Sequence, residues 1–254
     1  MTTIVRALLA EALKMRRTLA LKLAFLAPLI LVGFMFVAFL DDGEQFTQSP
    51  LTNAWIELAQ VIHIFWALLL LPLFVTLQTA LLAQLEHGSG QWKHLYVLPL
   101  PRWAVYAAKQ IAALVLMAVS HLALVGFSLV AGVLLWGLRP GLGFHASIPW
   151  GRFLGPVVAT YLASWLIVAI HTWVALRWRS FVAAMAIGIV LTVAGMVAIN
   201  TELGRLYPWA LAGMIVNGFN KGEPLEPARL AFGTLGGMLV ALWGCWRVTR
   251  RDVC

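Results

Sequence analysis

Residues 181–199 read FVAAMAIGIVLTVAGMVAI and contain no charged side chain. A run of this length matches the roughly 20 apolar residues that a helix needs to cross the hydrocarbon core of a bilayer. Similar apolar runs lie at 21–40, 57–82, 108–135, 153–175 and 230–246. The sequence therefore predicts an all-α polytopic membrane protein, a single domain over 1–254 with six transmembrane helices.

The composition supports this class. Of the 254 residues, 62% are hydrophobic and only 11% are charged, and the mean hydropathy is +0.89, values that no soluble domain of this length shows. Backbone groups in lipid must be satisfied within the segment, and the alternating ten-residue pattern of barrel strands is not seen. The six runs are therefore expected to be helices.

The charges between the runs predict an orientation. With the amino terminus inside, the inner segments hold thirteen of the 18 Lys and Arg residues, and the outer segments hold seven of the 10 acids. The positive-inside rule then places both termini in the cytoplasm and the chain in the cytoplasmic membrane. The net charge of +8 is explained by this asymmetry and by anionic membrane lipids, so a nucleic-acid partner is not expected.

The first 20 residues form a basic amphipathic segment. Apolar positions such as Ile4 and Leu8 alternate there with Arg6 and Lys14. This pattern is typical of an interfacial helix that lies along the inner leaflet, like an elbow before the first span.

One polar segment between the second and third runs carries a recognisable pattern. It reads Glu86-His87-Gly88-Ser89-Gly90-Gln91-Trp92-Lys93 and continues as Leu98-Pro99-Leu100-Pro101-Arg102, with Lys109 beyond. The two glycines permit a tight turn, and the Trp-Lys pair suits the headgroup level of a membrane. A short helix over about 91–98 would end at the first proline, and the second would start the third span. By this chemistry alone, the cytoplasmic loop 83–106 is either an interfacial linker or a short amphipathic helix across the base of the bundle.

These features resemble the permease subunits of type-2 ABC transporters, especially the branch with lantibiotic-immunity and bacitracin-type exporters. The resemblance rests on the Glu86-x-Gly88-x-Gly90-x-Trp92-Lys93 run with the proline-containing run after it, on the six-helix plan, on the basic amino-terminal segment and on a Pro-Trp outer segment. It implies that the loop is a coupling helix that docks on an ATP-binding subunit. The residues expected to form this docking surface are Glu86, Gly88, Gly90, Trp92, Lys93, Pro101 and Arg102.

The resemblance also implies a function. It predicts ATP-driven export of a hydrophobic or peptidic compound, such as an antimicrobial peptide or drug-like molecule, as in resistance or immunity. The chain contains no Gly-x4-Gly-Lys-Ser/Thr motif, and its loops are too small for a nucleotide-binding domain. ATP and Mg²⁺ are therefore expected on the partner subunit, with no cofactor, metal or catalytic residue on this chain.

A second permease subunit is also expected. Six helices are few for a translocation path, so we predict a homodimer or heterodimer with twelve helices. Gly233 and Gly237 form a GxxxG pattern that permits close approach of helix backbones. This pattern is common in spans by chance, so a dimer contact through it is only one interpretation.

Polar residues within the spans are candidates for the translocation path. Ionisable groups are costly in lipid and are functional candidates by default. The candidates are Gln60, His63, Thr76, Gln78 and Thr79 on the second helix and His121 on the third. They either line the path or form hydrogen bonds to neighbouring helices.

Two other functional classes remain open at this stage. One is a membrane-embedded structural or regulatory subunit that transports nothing. The other is a membrane haem protein, for which two of His63, His121 and His171 would have to lie at matched depth as axial ligands. The predicted topology instead separates adjacent members of this set by roughly 10 Å along the membrane normal, which argues against haem.

The outer segment 200–229 contains a short apolar run at 206–216. Its length suits a re-entrant or interfacial helix better than a span. Tyr207, Pro208 and Trp209 are expected at the height of the outer interface. They are interpreted either as an extracytoplasmic lid over the exit path or as part of an ordinary aromatic belt.

Overall fold

The computed structural model describes residues 3–16, 18–46, 53–87, 101–178 and 180–250. Within these ranges all regular structure is helical and no strand occurs. The α-helices are α1 (Thr3–Met15), α2 (Leu19–Phe46), α3 (Ala54–Phe65), α4 (Leu71–His87), α5 (Arg102–Leu138), α6 (Trp150–Arg177), α7 (Phe181–Ala198), α8 (Pro208–Asn220) and α9 (Pro227–Thr249). A π-helix at Trp66–Leu70 joins α3 to α4, and 3-10 turns lie at Pro140–Leu142 and Glu202–Leu206.

Six helices are long and apolar enough to cross a membrane. They are α2, the continuous α3–α4 unit, α5, α6, α7 and α9. The predicted class, an all-α polytopic membrane protein with six transmembrane helices, is confirmed.

The third span is longer than the apolar run suggests. Helix α5 has 37 residues and so extends roughly 55 Å, against a hydrocarbon core about 30 Å thick. Its first two turns pack on α1 instead of lying in lipid, because Ala104 and Ala108 form a buried apolar cluster with Ala7. The small side chains let the two helices approach closely.

The bundle has two ends, which we name by their contents. The terminal end carries α1, the end of α4 and the start of α5, and the end of α9 reaches it where Cys245 Sγ contacts the Trp103 carbonyl at 3.9 Å. The distal end carries both 3-10 turns and the first residues of α3, α6 and α9. The main hydrophobic core runs between these ends and includes Phe39, Trp66 and Phe153.

Small residues on α9 let it pack tightly on α6. A methyl group added to Gly233 would lie 2.6 Å from the Cα atom of Ala163, and one added to Gly237 would lie 2.6 Å from the carbonyl carbon of Trp165. The GxxxG pattern therefore serves a contact within the chain. The interpretation of these glycines as a dimer contact is wrong, because α6 of the same chain already covers them.

Helix α8 is too short to cross the membrane. Its 13 residues span about 20 Å. Its first turn lies beside α7, where the Tyr207 hydroxyl donates to the Leu191 carbonyl at 2.9 Å. A Cβ atom on Gly213 would lie 2.3 Å from Leu68, so α8 also packs directly on the π-helix of the second span.

Candidate functional site

Four charged side chains meet at the terminal end of the bundle. Lys14 Nζ lies 3.0 Å from Glu11 Oε1 and 2.7 Å from Glu86 Oε1. Lys109 Nζ lies 3.1 Å from Glu11 Oε2 and also pairs with Glu86. We refer to Glu11, Lys14, Glu86 and Lys109 as the four-charge cluster. It connects α1 to the end of α4 and to the second turn of α5.

Three members of the cluster are buried, and the Lys14 side chain is 28% exposed. Glu86 is 0% exposed and Lys109 1% exposed. Burying an unpaired charge costs several kcal/mol, whereas here each charge contacts two opposite charges and the sum is zero. This arrangement fixes the three elements relative to one another, because moving any one of them separates opposite charges, three of which are buried.

The charge state of Lys14 is maintained by its partners. Burial lowers the pKa of its ammonium group, but the hydrogen bond to Glu86 and the charges of Glu11 and Glu86 outweigh burial, so the pKa lies above the ordinary lysine value. A raised lysine pKa stabilises the fold at every pH below the ordinary value. That stabilisation declines only as the pH rises through the raised value.

Sequence reasoning did not identify the cluster as a unit. The sequence pattern assigns Lys14 to the interfacial helix and Lys109 to the polar pattern after the second run, and it does not single out Glu11. Two signals were present in the sequence. Glu11 is an acid within a basic segment, one turn before Lys14, and Lys109 lies inside an apolar run, where a charge implies a partner.

The predicted docking residues divide into three groups. Glu86 is buried in the four-charge cluster, so its carboxylate contacts α1 and α5 and is not presented on the surface. Pro101 precedes the first residue of α5 and is exposed, and Arg102 begins that helix. The remaining candidates, together with the short helix expected at 91–98, lie outside the described residues: Gly88, Gly90, Trp92 and Lys93.

Three of the predicted path residues are used for hydrogen bonds within the bundle. The Thr76 and Thr79 hydroxyls donate to carbonyls one turn earlier, on Pro72 and Val75, each at 2.9 Å. The Gln78 amide nitrogen donates to the Ala20 carbonyl at 2.7 Å, which links the second span to the first. These contacts favour the alternative in which these residues form hydrogen bonds within the bundle and do not line the path.

His121 is held in a defined tautomer. Its Nδ1 lies 2.8 Å from the Met117 carbonyl, which can only accept, and its Nε2 lies 3.4 Å from the indole nitrogen of Trp66, which can only donate. The ring is therefore neutral with the proton on Nδ1.

Within the described part of the chain, no group of three or more His, Cys, Asp and Glu side chains comes together as metal ligands.

Two predicted path residues, Gln60 and His63, share a cavity of about 250 Å³ at the distal end. Arg152 at the start of α6 and Asn220 and Lys221 at the end of α8 complete its polar lining. We refer to this space as the distal cavity. This cavity brings two of the six path candidates together in an open space.

The expected position of Trp209 at the outer interface is wrong. Trp209 is 7% exposed, and its indole nitrogen donates to His171 Nε2 at 3.0 Å. His171 is six residues from the end of α6 at Arg177, about 9 Å by helical rise. The ring therefore lies in the core, and it is the opposite end of α8, at Phe219 and Asn220, that borders the distal cavity.

A second open space was not expected from the sequence. A cleft of about 350 Å³ lies between α5, α6 and α9, and apolar side chains such as Leu114 and Met238 form most of its lining. Gln110 and Trp165 border it, but Gln110 Oε1 and Trp165 Nε1 are themselves buried and are not exposed to the cleft. The cleft thus offers an almost entirely apolar surface.

Residues 7–195 match the profile of a family described as ABC-2 family transporter protein. The matched region begins within α1 and ends within α7, so it contains the whole four-charge cluster. No curated protein and no solved structure matches the chain.

Proposed function

The chain belongs to the ABC-2 family of transporter proteins and is a permease subunit of an ABC transporter, and from this premise we propose that it exports a hydrophobic or peptidic compound from the cytoplasmic membrane. ATP is hydrolysed by a separate ATP-binding subunit of the same transporter. In this proposal the cargo is an antimicrobial peptide or a drug-like molecule, as in the lantibiotic-immunity and bacitracin-type branch.

The four-charge cluster is the observation that supports the docking part of the proposal. It connects α1 to Glu86 at the end of α4 and to Lys109 in α5. The end of α4 and the start of α5 flank segment 88–100. A loop that transmits force from an ATPase needs rigid flanks, because a movable anchor would absorb the motion. We therefore assign segment 88–100, with Pro101 and Arg102, to the docking surface and Glu86 to positioning it from within.

The apolar cleft between α5, α6 and α9 supports the proposed class of cargo. Its almost entirely apolar lining suits a hydrophobic molecule. The distal cavity lies at the opposite end of the bundle and suits the exit side. In this arrangement the end of α8 at Phe219 and Asn220 acts as the lid that was expected at Tyr207–Trp209.

The cation asymmetry of the sequence supports the orientation with both termini in the cytoplasm. The assembly we propose is a dimer, either of two copies or with a similar permease. Its contact must involve a helix face other than the glycine face of α9, since α6 covers that face.

Co-purification tests the docking surface. The permease carrying Trp92→Ala together with Gly88→Val is expressed with its ATP-binding subunit and isolated from membranes. Loss of a tryptophan anchor at an interface typically costs 2 kcal/mol or more, so recovery of the ATP-binding subunit should fall about tenfold or more. Insertion of the permease into the membrane should be unchanged.

The matched control is Trp178→Ala. Trp178 is exposed at the terminal end, in the turn between α6 and α7, so it provides the same substitution on the same side of the bundle. Undiminished recovery with the double variant, or an equal loss with the control, would remove the docking assignment. Bacitracin resistance of cells that express both subunits tests the cargo class separately.

A further inference from the structure

The distal cavity contains cationic and amide side chains whose charge and chemistry the proposed exit role does not explain. We propose that it is a binding site for one phosphate group, supplied by the headgroup of a phospholipid. The site is defined by Gln60, His63, Arg152, Asn220 and Lys221. The proposal concerns binding alone and does not depend on transport.

Two cations face the cavity without a carboxylate partner. Arg152 and Lys221 line the space, and neither forms an ion pair within the described ranges. Other cations at the distal end behave differently, since Arg205 pairs with Glu202 and Arg229 pairs with Glu226. The nearest acids in sequence, Glu57 and Glu223, do not line the cavity. The space therefore carries local positive charge.

The strongest observation is the state of His63. Its side chain is buried, with 4% exposure, and its Nε2 atom has no hydrogen-bond partner in the described part of the chain. Leaving a buried polar nitrogen unpaired costs about 1–3 kcal/mol. His63 lines the cavity, but Nε2 itself is not exposed to that space, so the ring must turn for its N–H to donate to a phosphate oxygen.

The chemistry of the lining suits phosphate. An arginine guanidinium forms bidentate bonds to phosphate oxygens, and a lysine adds a point charge. The amide groups of Gln60 and Asn220 supply additional neutral donors. Because the cavity lies where α3, α6 and α8 reach the distal end of the bundle, it is at the height of lipid headgroups, and Phe219 and Pro156 give it an apolar side toward the acyl chains.

Ligand-induced stabilisation of the full chain tests the proposal. The protein is purified in a neutral detergent, and its unfolding temperature is measured with dioctanoyl phosphatidylglycerol, dioctanoylglycerol or inorganic phosphate. The phospholipid should raise the unfolding temperature with a saturable concentration dependence. The double variant Arg152→Gln with Lys221→Gln should bind the phospholipid with roughly tenfold lower affinity than the unaltered chain. His63→Phe preserves the ring volume and should also weaken binding.

Arg205→Gln is the matched control, since Arg205 lies at the distal end but pairs with Glu202 and does not line the cavity. Its affinity for the phospholipid should equal that of the unaltered chain. If inorganic phosphate stabilises the chain while the phospholipid does not, and the cavity variants lose this effect, the site exists but binds a free anion. Equal stabilisation by dioctanoylglycerol, an equal loss in the control, or unchanged binding in both cavity variants would overturn the proposal.

Discussion

Glu86 illustrates how a residue can be essential to a surface without being part of it. Its sequence context, before two glycines and a tryptophan, suggested a direct contact with a partner. The structure surrounds its carboxylate with Lys14 and Lys109, and no part of it is exposed. Any influence on a docked subunit must therefore pass through the position of the chain that follows it.

Removal of one lysine tests the four-charge cluster. In Lys109→Met two buried carboxylates share Lys14 alone, so the free energy of unfolding should decrease by about 3–5 kcal/mol. Combining it with Glu86→Gln leaves one neutral pair, Glu11 and Lys14, and should recover part of the loss. Thermal unfolding in detergent measures both variants and the coupling between them.

Lys22→Met provides the control, because Lys22 is an exposed cation near the same end of the bundle. Its unfolding temperature should remain close to that of the unaltered chain. If Lys109→Met were equally mild, or if the double variant simply added the two losses, the four charges would not act as a unit.

At the scale of elements, α9 and α6 show how glycine positions determine helix packing. Gly237 abuts the backbone of Trp165, whereas an added Cβ on its neighbour Gly236 would only reach ordinary contact with the Leu166 side chain at 3.4 Å. The two glycines are adjacent in sequence but lie on different faces of α9, so one meets backbone and the other meets a side chain.

This difference makes a sharp prediction. Gly237→Ala should destabilise the fold by about 1–3 kcal/mol, because backbone cannot move aside for the new methyl group. Gly236→Ala should change stability by no more than roughly 0.5 kcal/mol. Thermal unfolding of the two variants side by side measures the effect, and equal stabilities would contradict the packing of α9 on α6.

Most of the elements could be predicted from the sequence, because hydropathy and run length depend only on local composition. The six spans and the start of α5 after Pro101 are examples. Contacts between elements could not be predicted in the same way. Trp209 was expected at the interface because Trp and Tyr are enriched there, yet its partner His171 is 38 residues away in sequence. No periodicity within either helix indicates that pairing.

The candidate site shows the same division. The distal cavity unites Gln60 with Arg152 and Lys221, three residues from three helices. Gln60 and its neighbour His63 are candidates from the sequence, because polarity within a span is visible there. Arg152 and Lys221 are not, because the meeting of helix ends is not visible in the sequence. The cleft beside Gln110 was missed for the same reason.

At the scale of the whole molecule, the orientation in the membrane is a prediction that can be measured. Single cysteines at Trp178 and Glu202 are compared in a background in which Cys245 and Cys254 are replaced by serine. Both positions are exposed, at the terminal and distal ends respectively. An impermeant maleimide applied to intact cells should label position 202 and leave position 178 unlabelled.

Permeabilised cells provide the control, since both positions should then react. Labelling of position 178 in intact cells would reverse the orientation and place the proposed docking loop outside. The proposed function would fail with it, whereas the phosphate site at the distal end would change sides but not chemistry.

The four-charge cluster also affects the order in which parts of the chain can fold during synthesis. Glu11 and Lys14 leave the ribosome first, Glu86 follows 72 residues after Lys14, and Lys109 is made 98 residues after Glu11. A nascent chain that has completed only two spans holds two acids against one lysine, an arrangement with one unmatched charge. We therefore expect α1 to reach its final position only after the start of α5, which carries Lys109, has been made. The part of the chain that is synthesised first would then be among the last to finish folding.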